Sequence, residues 1–376
     1  MPSTNVSENI SLGKKLLAQG KIGAVVLAGG QGTRLGMDKP KGCYPLSPLM
    51  KKSLFQRLIE RTIAASKAYK TALQIAFMTS EENHAATIDF FKEHAYFGIA
   101  EERVSFFQQG ALPLQDESGA PLLNAQGQKV TAADGNGSFF WNFAASALIS
   151  KWSQIEYVTV TVIDNPLADP FDAELIGRCA ANKNDVAMRV VERQNPEENV
   201  GCIIENEGKV SVVEYSEMSQ QDKEARDKHG KLQVPYANIT YFCFSKSFIE
   251  KVSHESIEKM PLHKAKKKIQ NLSQYAYKSE YFIFDALLFA KNVALVLSVR
   301  EDCFAPLKNR EGEGADSPER SRKLVVEKER KLFEALTKVP VPMDRLFELS
   351  LEFYYPTEEL VKRWEGKPLP PGDYIS

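Results

Sequence analysis

The sequence predicts an α/β protein built on a mostly parallel sheet, with a small unit appended towards its C-terminal end. Two observations carry this. From residue 22 onward, short Val- and Ile-rich runs alternate with helical patterns. Several of these runs end in glycine-containing or polar turns, the positions where open parallel sheets hold ligands.

Residues 24–28 (A-V-V-L-A) are an apolar run too short for a helix. The chain then breaks into Gly29-Gly30-Gln31-Gly32-Thr33-Arg34, a loop whose backbone N–H groups can turn towards one object. Arg34, Lys39 and Lys41 crowd it with cations, against the single acid Asp38. Amides and clustered cations describe a cradle for a polyanion such as a nucleoside triphosphate. The plainer alternative is a tight turn with a solvated basic face. A dinucleotide fingerprint would begin a helix inside the glycines, but Pro40, Pro45 and Pro48 forbid one before Ser53. A P-loop is excluded because no Gly-Lys-Ser/Thr follows. Ser53-Leu54-Phe55-Gln56 reads as a capping box, and a helix starts there.

Residues 73–79 read as the second strand and 81–95 as its helix, with acids in the first turn. The third strand, 104–107, ends in Gln108-Gln109-Gly110 on the binding edge. A glutamine amide there either reads the edge of a base or serves a turn, and Gln108 is the candidate. Residues 110–138 form a long irregular stretch of the kind that is usually functional, and it contains Asp134-Gly135-Asn136-Gly137. The cleanest strand, 157–163, ends in Asp164-Asn165-Pro166. A carboxylate at that strand end suits Mg²⁺ held against phosphates, although these residues are also good turn formers.

Residues 185–192 and 202–215 are β-rich, with Glu207-Gly208 as a hairpin turn. Gly201 precedes one of these strands, and Glu214, a carboxylate suited to sugar hydroxyls, closes the next. Residues 220–230 read as a solvated charged loop. Asn238 heads an apolar strand over 239–244. Phe282 and Phe284 fall on one face of a further strand, a pattern more often core than site. A charged helix covers 317–337, and prolines beyond it mark a small unit. With Glu311-Gly312-Glu313-Gly314 as linker, the predicted parts are a helical segment at 1–21, a main domain at 22–310 and a C-terminal unit at 311–376.

A net charge of −1 argues against a global field that recruits nucleic acid or anionic membrane. No apolar run reaches membrane-spanning length, and the five cysteines are scattered as small buried hydrophobes of a reducing compartment. The five histidines show no metal spacing. A cytoplasmic protein is expected.

The stretch L-A-G-G-Q-G-T-R-L-G followed by P-K-G resembles the signature of the sugar-nucleotide pyrophosphorylases, and within them the eukaryotic-type UDP-N-acetylhexosamine pyrophosphorylase family. F-F-Q-Q-G (106–110), D-G-N-G (134–137), V-E-Y-S-E (213–217) and P-L-K-N (306–309) recur in the family's order, so the resemblance spans about residues 22–310. It implies a Rossmann-like, GT-A-like nucleotidyltransferase sheet and a monomeric uridylyltransferase. That enzyme would make UDP-N-acetylglucosamine and pyrophosphate from UTP and N-acetylglucosamine-1-phosphate with Mg²⁺.

Carried over residue by residue, the resemblance gives catalytic roles to Arg34, Lys41 and Lys308 and a metal-binding role to Asp164. It puts Leu27, Gly29, Gly30, Gly32, Thr33, Gln108 and Gly135 on the nucleotide, and Asn136, Gly201, Glu214, Asn238, Phe282 and Phe284 on the sugar. The chain departs from the family in being shorter than the eukaryotic enzymes and in carrying Ser138 where another Gly is common. These changes flank the sugar, so glucose-1-phosphate or a broader set of sugar phosphates stays open as substrate. A glycosyltransferase would want a second acid beside Asp164, which Asn165-Pro166 does not supply. A non-catalytic UDP-sugar sensor would have lost Arg34, Lys41 or Lys308.

Overall fold

Strand β1 (Ile22–Leu27) is buried along its whole length because both faces of the sheet around it are covered. Ala24 and Val26 enter one apolar layer, while Val25 and Leu27 enter the other. The computed structural model describes residues 5–268, 275–314 and 316–376.

Helix α1 (Val6–Ala18) precedes β1, and α2 (Leu54–Tyr69), β2 (Gln74–Thr79), α3 (His84–Glu93) and β3 (Val104–Gln108) follow it. Next come the ribbon strands β4 (Ala111–Pro113) and β5 (Thr131–Ala133), then α4 (Phe139–Ala145), α5 (Leu148–Lys151), β6 (Tyr157–Val162) and α6 (Ala173–Ala181). The middle of the chain supplies β7 (Val186–Glu192), β8 (Gly201–Asn206), β9 (Lys209–Val213), α7 (Gln220–Glu224), β10 (Tyr236–Ser245) and α8 (Lys246–Ser253). A hairpin of β11 (His263–Lys268) and β12 (Tyr275–Glu280) leads to β13 (Val293–Leu297), α9 (Arg300–Cys303), α10 (Pro318–Thr337) and α11 (Glu358–Trp364).

Among the described residues the main sheet runs β13-β7-β10-β6-β1-β2-β3, with β8 on β10 and β9 on β8. β1 is parallel to both β2 and β6, and β3 is parallel to β2. β10 runs against its neighbours β6 and β7, so its first residues lie at the edge where the parallel strands end. That edge collects the glycine loop after β1, Gln108-Gln109 after β3, Asp164 after β6 and Asn238 at the start of β10.

Local chemistry explains most element ends. Ser53 Oγ accepts the Gln56 N–H at 3.1 Å, one half of the expected capping box; the Gln56 side chain instead donates to Glu60. Glu207 and Gly208, both at positive φ, make the turn between β8 and β9. Four expectations need correction. Helix α3 starts at His84, because the Asn83 side-chain Oδ1 accepts the Ser80 N–H and closes a turn first. Residues 110–138 are not irregular throughout: β4 and β5 pair, and Leu114 and Leu122 pack on Ala276 of the β11–β12 hairpin. Residues 220–224 form the short helix α7, capped by Ser219. Phe282 and Phe284 lie on no strand; Phe282 precedes and Phe284 joins a 3₁₀ segment, Ile283–Phe289.

Towards the C-terminal end, α10 belongs to two cores. Leu324 and Val325 enter the layer beneath the sheet, while Phe333 and Leu336 pack with Phe347, Phe353, Leu360 and Ile375. Buried Glu329 fastens α10 to the rest. Its Oε1 meets Arg57 of α2 at 3.1 Å and Tyr354 at 3.2 Å, and its Oε2 accepts the Leu349 N–H at 2.9 Å. Glu329→Ala strands the Arg57 guanidinium in an apolar setting and is expected to cost about 3–5 kcal/mol. Thermal unfolding measures this; Arg57→Met combined with Glu329→Leu should recover part of the loss, and an unchanged midpoint in Glu329→Ala would contradict the assignment.

Candidate active site

The glycine loop is held open from beneath. Asn83, fully buried at the start of α3, donates from Nδ2 to the carbonyls of Ala28 (2.9 Å) and Gly30 (3.2 Å). With both carbonyls turned inward, the N–H groups of Gly29 and Gly30 have no hydrogen-bond partner among the described residues. Gly32 behaves differently from the expectation. Its N–H donates to the Lys39 carbonyl at 3.0 Å, so this amide closes the loop rather than facing a ligand. Leu27 is also spent elsewhere: its side chain is in the core and its carbonyl accepts the Ile163 N–H. Thr33 and Arg34 are exposed on the turn that follows, and no ion pair engages Arg34 among the described residues.

Lys41 is placed by the glycine after it. The Phe55 ring from α2 packs so close to Gly42 that a Cβ there would lie 2.2 Å from the ring, so the P-K-G turn tolerates no larger residue. Lys41 then folds over Gly30 and donates to Asp164 Oδ2 at 3.2 Å. Asp164 and Asn165 also fasten the return segment. The Asp164 carbonyl accepts the Leu307 N–H (2.8 Å), while the Asn165 side chain spans Cys303 O and Ala305 N. Lys308 is thereby brought to the same edge, 3.7 Å from Asp316 and close enough to Glu214 to favour its charged form. Arg310, which the sequence reading missed, lies beside Gly36 at the far end of the loop.

Of the two glutamines, Gln109 reaches the loop, with its side-chain amide packed on the bare Cα of Gly29; Gln108 is exposed. The difference is one residue of β alternation, which sends neighbouring side chains to opposite sides. Gly135 adopts φ +93° and lies against the Tyr281 carbonyl, a position closed to any side chain on both counts. Asn136 Oδ1 accepts the Ile283 N–H at 2.9 Å, which joins this turn to the segment holding Phe282 and Phe284. Ser138, where the family commonly has glycine, donates to buried Asp134 at 2.8 Å. Burial raises the Asp134 pKa, and the Ser138 hydrogen bond opposes that rise.

The sugar candidates also gather. Gly201 is paired with Asn238 in register, and a Cβ built on Gly201 would be 3.6 Å from Glu214 Oε1 and 3.8 Å from Asn238 Cβ. Burial and the neighbouring Glu217 raise the Glu214 pKa, against the Tyr215 amide, His263 and Lys308, which lower it. The Phe282 and Phe284 rings lie 5.1 Å apart at 33°. Asp285 and His263, the latter passed over by sequence reasoning, close this end through a 2.8 Å contact. No spacing announces His263, which merely heads a lysine-rich run. Among the described residues no three His, Cys, Asp or Glu side chains converge as a cation site, and no helix is long and apolar enough to cross a membrane.

Free glycine amides, the Lys41–Asp164 pair and exposed Arg34 at one edge of a mostly parallel sheet fit a fold of the nucleotidyltransferase type. The chain belongs to the family described as UTP–glucose-1-phosphate uridylyltransferase, whose model matches residues 4–329. It is similar to UDP-N-acetylglucosamine diphosphorylase 2 of Arabidopsis thaliana, with 35% identity over 84% of this chain. The match spans 66% of that relative's length. Among solved structures, the UDP-N-acetylglucosamine pyrophosphorylase of Trypanosoma brucei superposes with a TM-score of 0.86 at 27% identity, over 99% of this chain and 82% of that one. An Entamoeba histolytica protein superposes at 0.89 with 26% identity, over 100% and 97% of the two chains.

Asn83→Ala removes both hydrogen bonds that hold the glycine loop and leaves the buried Ala28 carbonyl without its donor, at a cost of about 1–3 kcal/mol. The expected result is a lower unfolding midpoint together with weaker UTP binding in calorimetric titration. Binding at parental strength would contradict the role given to Asn83.

Proposed function

We propose that this protein is a uridylyltransferase that converts UTP and N-acetylglucosamine-1-phosphate to UDP-N-acetylglucosamine and pyrophosphate. The observation that carries the reading is the pairing of Lys41 with Asp164 beside two free glycine amides, with the Lys308 segment tied to the Asp164 carbonyl through Leu307, at the edge where the parallel strands end. The choice of sugar follows the names of the relatives and the grouping of Gly201, Glu214 and Asn238.

An oxygen of the sugar phosphate attacks the α-phosphorus of UTP in line. A new P–O bond forms as the α–β bridging P–O bond breaks, and pyrophosphate leaves with the bonding pair. Such a reaction asks the protein for positioning and charge neutralisation rather than covalent chemistry. Arg34, exposed and unpaired, takes the departing β- and γ-phosphates, assisted by the amides of Gly29 and Gly30. Lys41 takes the α-phosphate and the charge that develops there. Lys308 holds the incoming sugar phosphate. Gln109, rather than Gln108, meets the base together with Gly135. Asn136, Gly201, Glu214 and Asn238 take the sugar hydroxyls and amide, and Phe282 with Phe284 shields the acetamido methyl.

A lone carboxylate at a strand end, already paired with a cation, fits Mg²⁺ better than a caged metal, since that ion is usually bound by one or two carboxylates plus substrate phosphates. Asp164 would hold it, and bound Mg²⁺ supplies neutralisation of the triphosphate charge.

Pyrophosphate release from UTP with a panel of sugar-1-phosphates tests the reading. N-acetylglucosamine-1-phosphate is expected to be preferred over glucose-1-phosphate by several-fold, the scale of about one shielded methyl. EDTA should abolish turnover and Mg²⁺ restore it. A preference for glucose-1-phosphate would overturn the sugar assignment, and no turnover with any member of the panel would overturn the uridylyltransferase assignment.

A further inference from the structure

His263 opens β11 and stands between two carboxylates from different segments. Its Nδ1 is 2.5 Å from Glu217 Oε1 and its Nε2 is 2.8 Å from Asp285 Oδ2. Ionised carboxylates only accept hydrogen bonds, so both contacts form together when both ring nitrogens carry protons. The ring also lies on Phe282, with centroids 4.5 Å apart and planes 34° from parallel, and 6.4 Å from Phe284. Three parts of the sugar pocket therefore meet on one imidazolium: the turn after Glu214, the start of β11 and the aromatic segment. The Glu217 N–H donates to the Glu214 carbonyl at 2.9 Å, so a shift of Glu217 is passed to Glu214.

Resting on the pocket reading above, we propose that His263 is a positioning residue for the sugar pocket, and that its doubly protonated ring sustains the preference for an N-acetylated hexose phosphate. The charged groups facing the ring are Glu217, Asp285 and, further away, Glu214, which Lys308 also reaches. Glu280, opposite His263 in the hairpin, is engaged by Lys278 at 2.8 Å. Burial works against the His263 proton, but the hydrogen bonds and charges of Glu217 and Asp285 outweigh it, so the ring stays protonated to a higher pH than an ordinary histidine. The bridge is thus complete at low pH and lost as pH rises through the raised value. A neutral ring keeps one N–H and must release one carboxylate. Glu217, with its side chain 44% exposed against 9% for Asp285, is the one water can receive. Its release loosens the turn that carries Glu214 and removes the cation from the Phe282 face.

The test is the ratio of kcat/KM for N-acetylglucosamine-1-phosphate to that for glucose-1-phosphate, from about pH 6.5 to about pH 9. Both substrates carry the same phosphate, so its titration and that of the triphosphate cradle cancel in the ratio. The parental ratio is expected to fall roughly five-fold towards alkaline pH, the scale of one shielded methyl. His263→Gln, which keeps a donor and an acceptor but cannot titrate, should give a flat ratio, while the KM for UTP stays near parental in both proteins. A parental ratio independent of pH, or a His263→Gln ratio with the same step, would overturn the proposal while leaving the uridylyltransferase reading intact. Absence of turnover with either sugar phosphate would instead overturn that reading, and this inference with it.

Discussion

The end of strand β6 is the joint on which the site depends. Within two residues it offers a side chain to Lys41, a carbonyl to Leu307 and an amide side chain to the backbone at 303 and 305. The glycine loop follows β1 and the Lys308 segment follows β13, more than 250 residues apart in the chain. Both are referred to Asp164 and Asn165, with a further contact where Arg310 lies beside Gly36. Because β6 is a central strand paired on both sides, this reference point is among the stiffer parts of the molecule.

Charge is arranged around that joint in an uneven way. Lys41 and Lys308 each have an acid near them, whereas Arg34 and Arg310 stand at the mouth without one among the described residues. Paired cations hold their geometry before any ligand arrives, and exposed ones are available to a polyanion at little desolvation cost. The proposed sugar end is built differently. Its polar groups are a pair of register neighbours, Gly201 and Asn238, with Glu214 beside them, and an aromatic wall buttressed by His263. Positioning there comes from β pairing, ring contacts and the two carboxylates that flank His263.

Much of the sheet was legible because its signals are local. Strand β6, the Ser53 cap and the Glu207-Gly208 turn each follow from a few consecutive residues. The motif order likewise picked out the loop, the turn at Gly135 and the segment around Lys308. What escaped depends on distant partners. Gln109 is distinguished from Gln108 only by which side of β3 faces Gly29. Gly32 looks like its neighbours until the Lys39 carbonyl takes its amide. Phe282 and Phe284 read as strand by spacing, yet the Asn136 hydrogen bond to Ile283 and the 3₁₀ turn set their orientation. Asn83 and His263 carry no motif, and their significance lies in carbonyls and carboxylates tens of residues away.

In the proposed mechanism Lys41, held by Asp164 before the substrates arrive, acts on the charge that develops at the α-phosphorus. Steady-state kinetics of the parental enzyme and Lys41→Ala, with UTP varied at saturating N-acetylglucosamine-1-phosphate, tests it most directly. A fall in kcat of about 10²–10³-fold with the UTP KM changed only a few-fold is expected, the signature of an interaction made chiefly in the transition state. A near-parental kcat with a strongly raised UTP KM would contradict it and leave Lys41 as a ground-state phosphate contact.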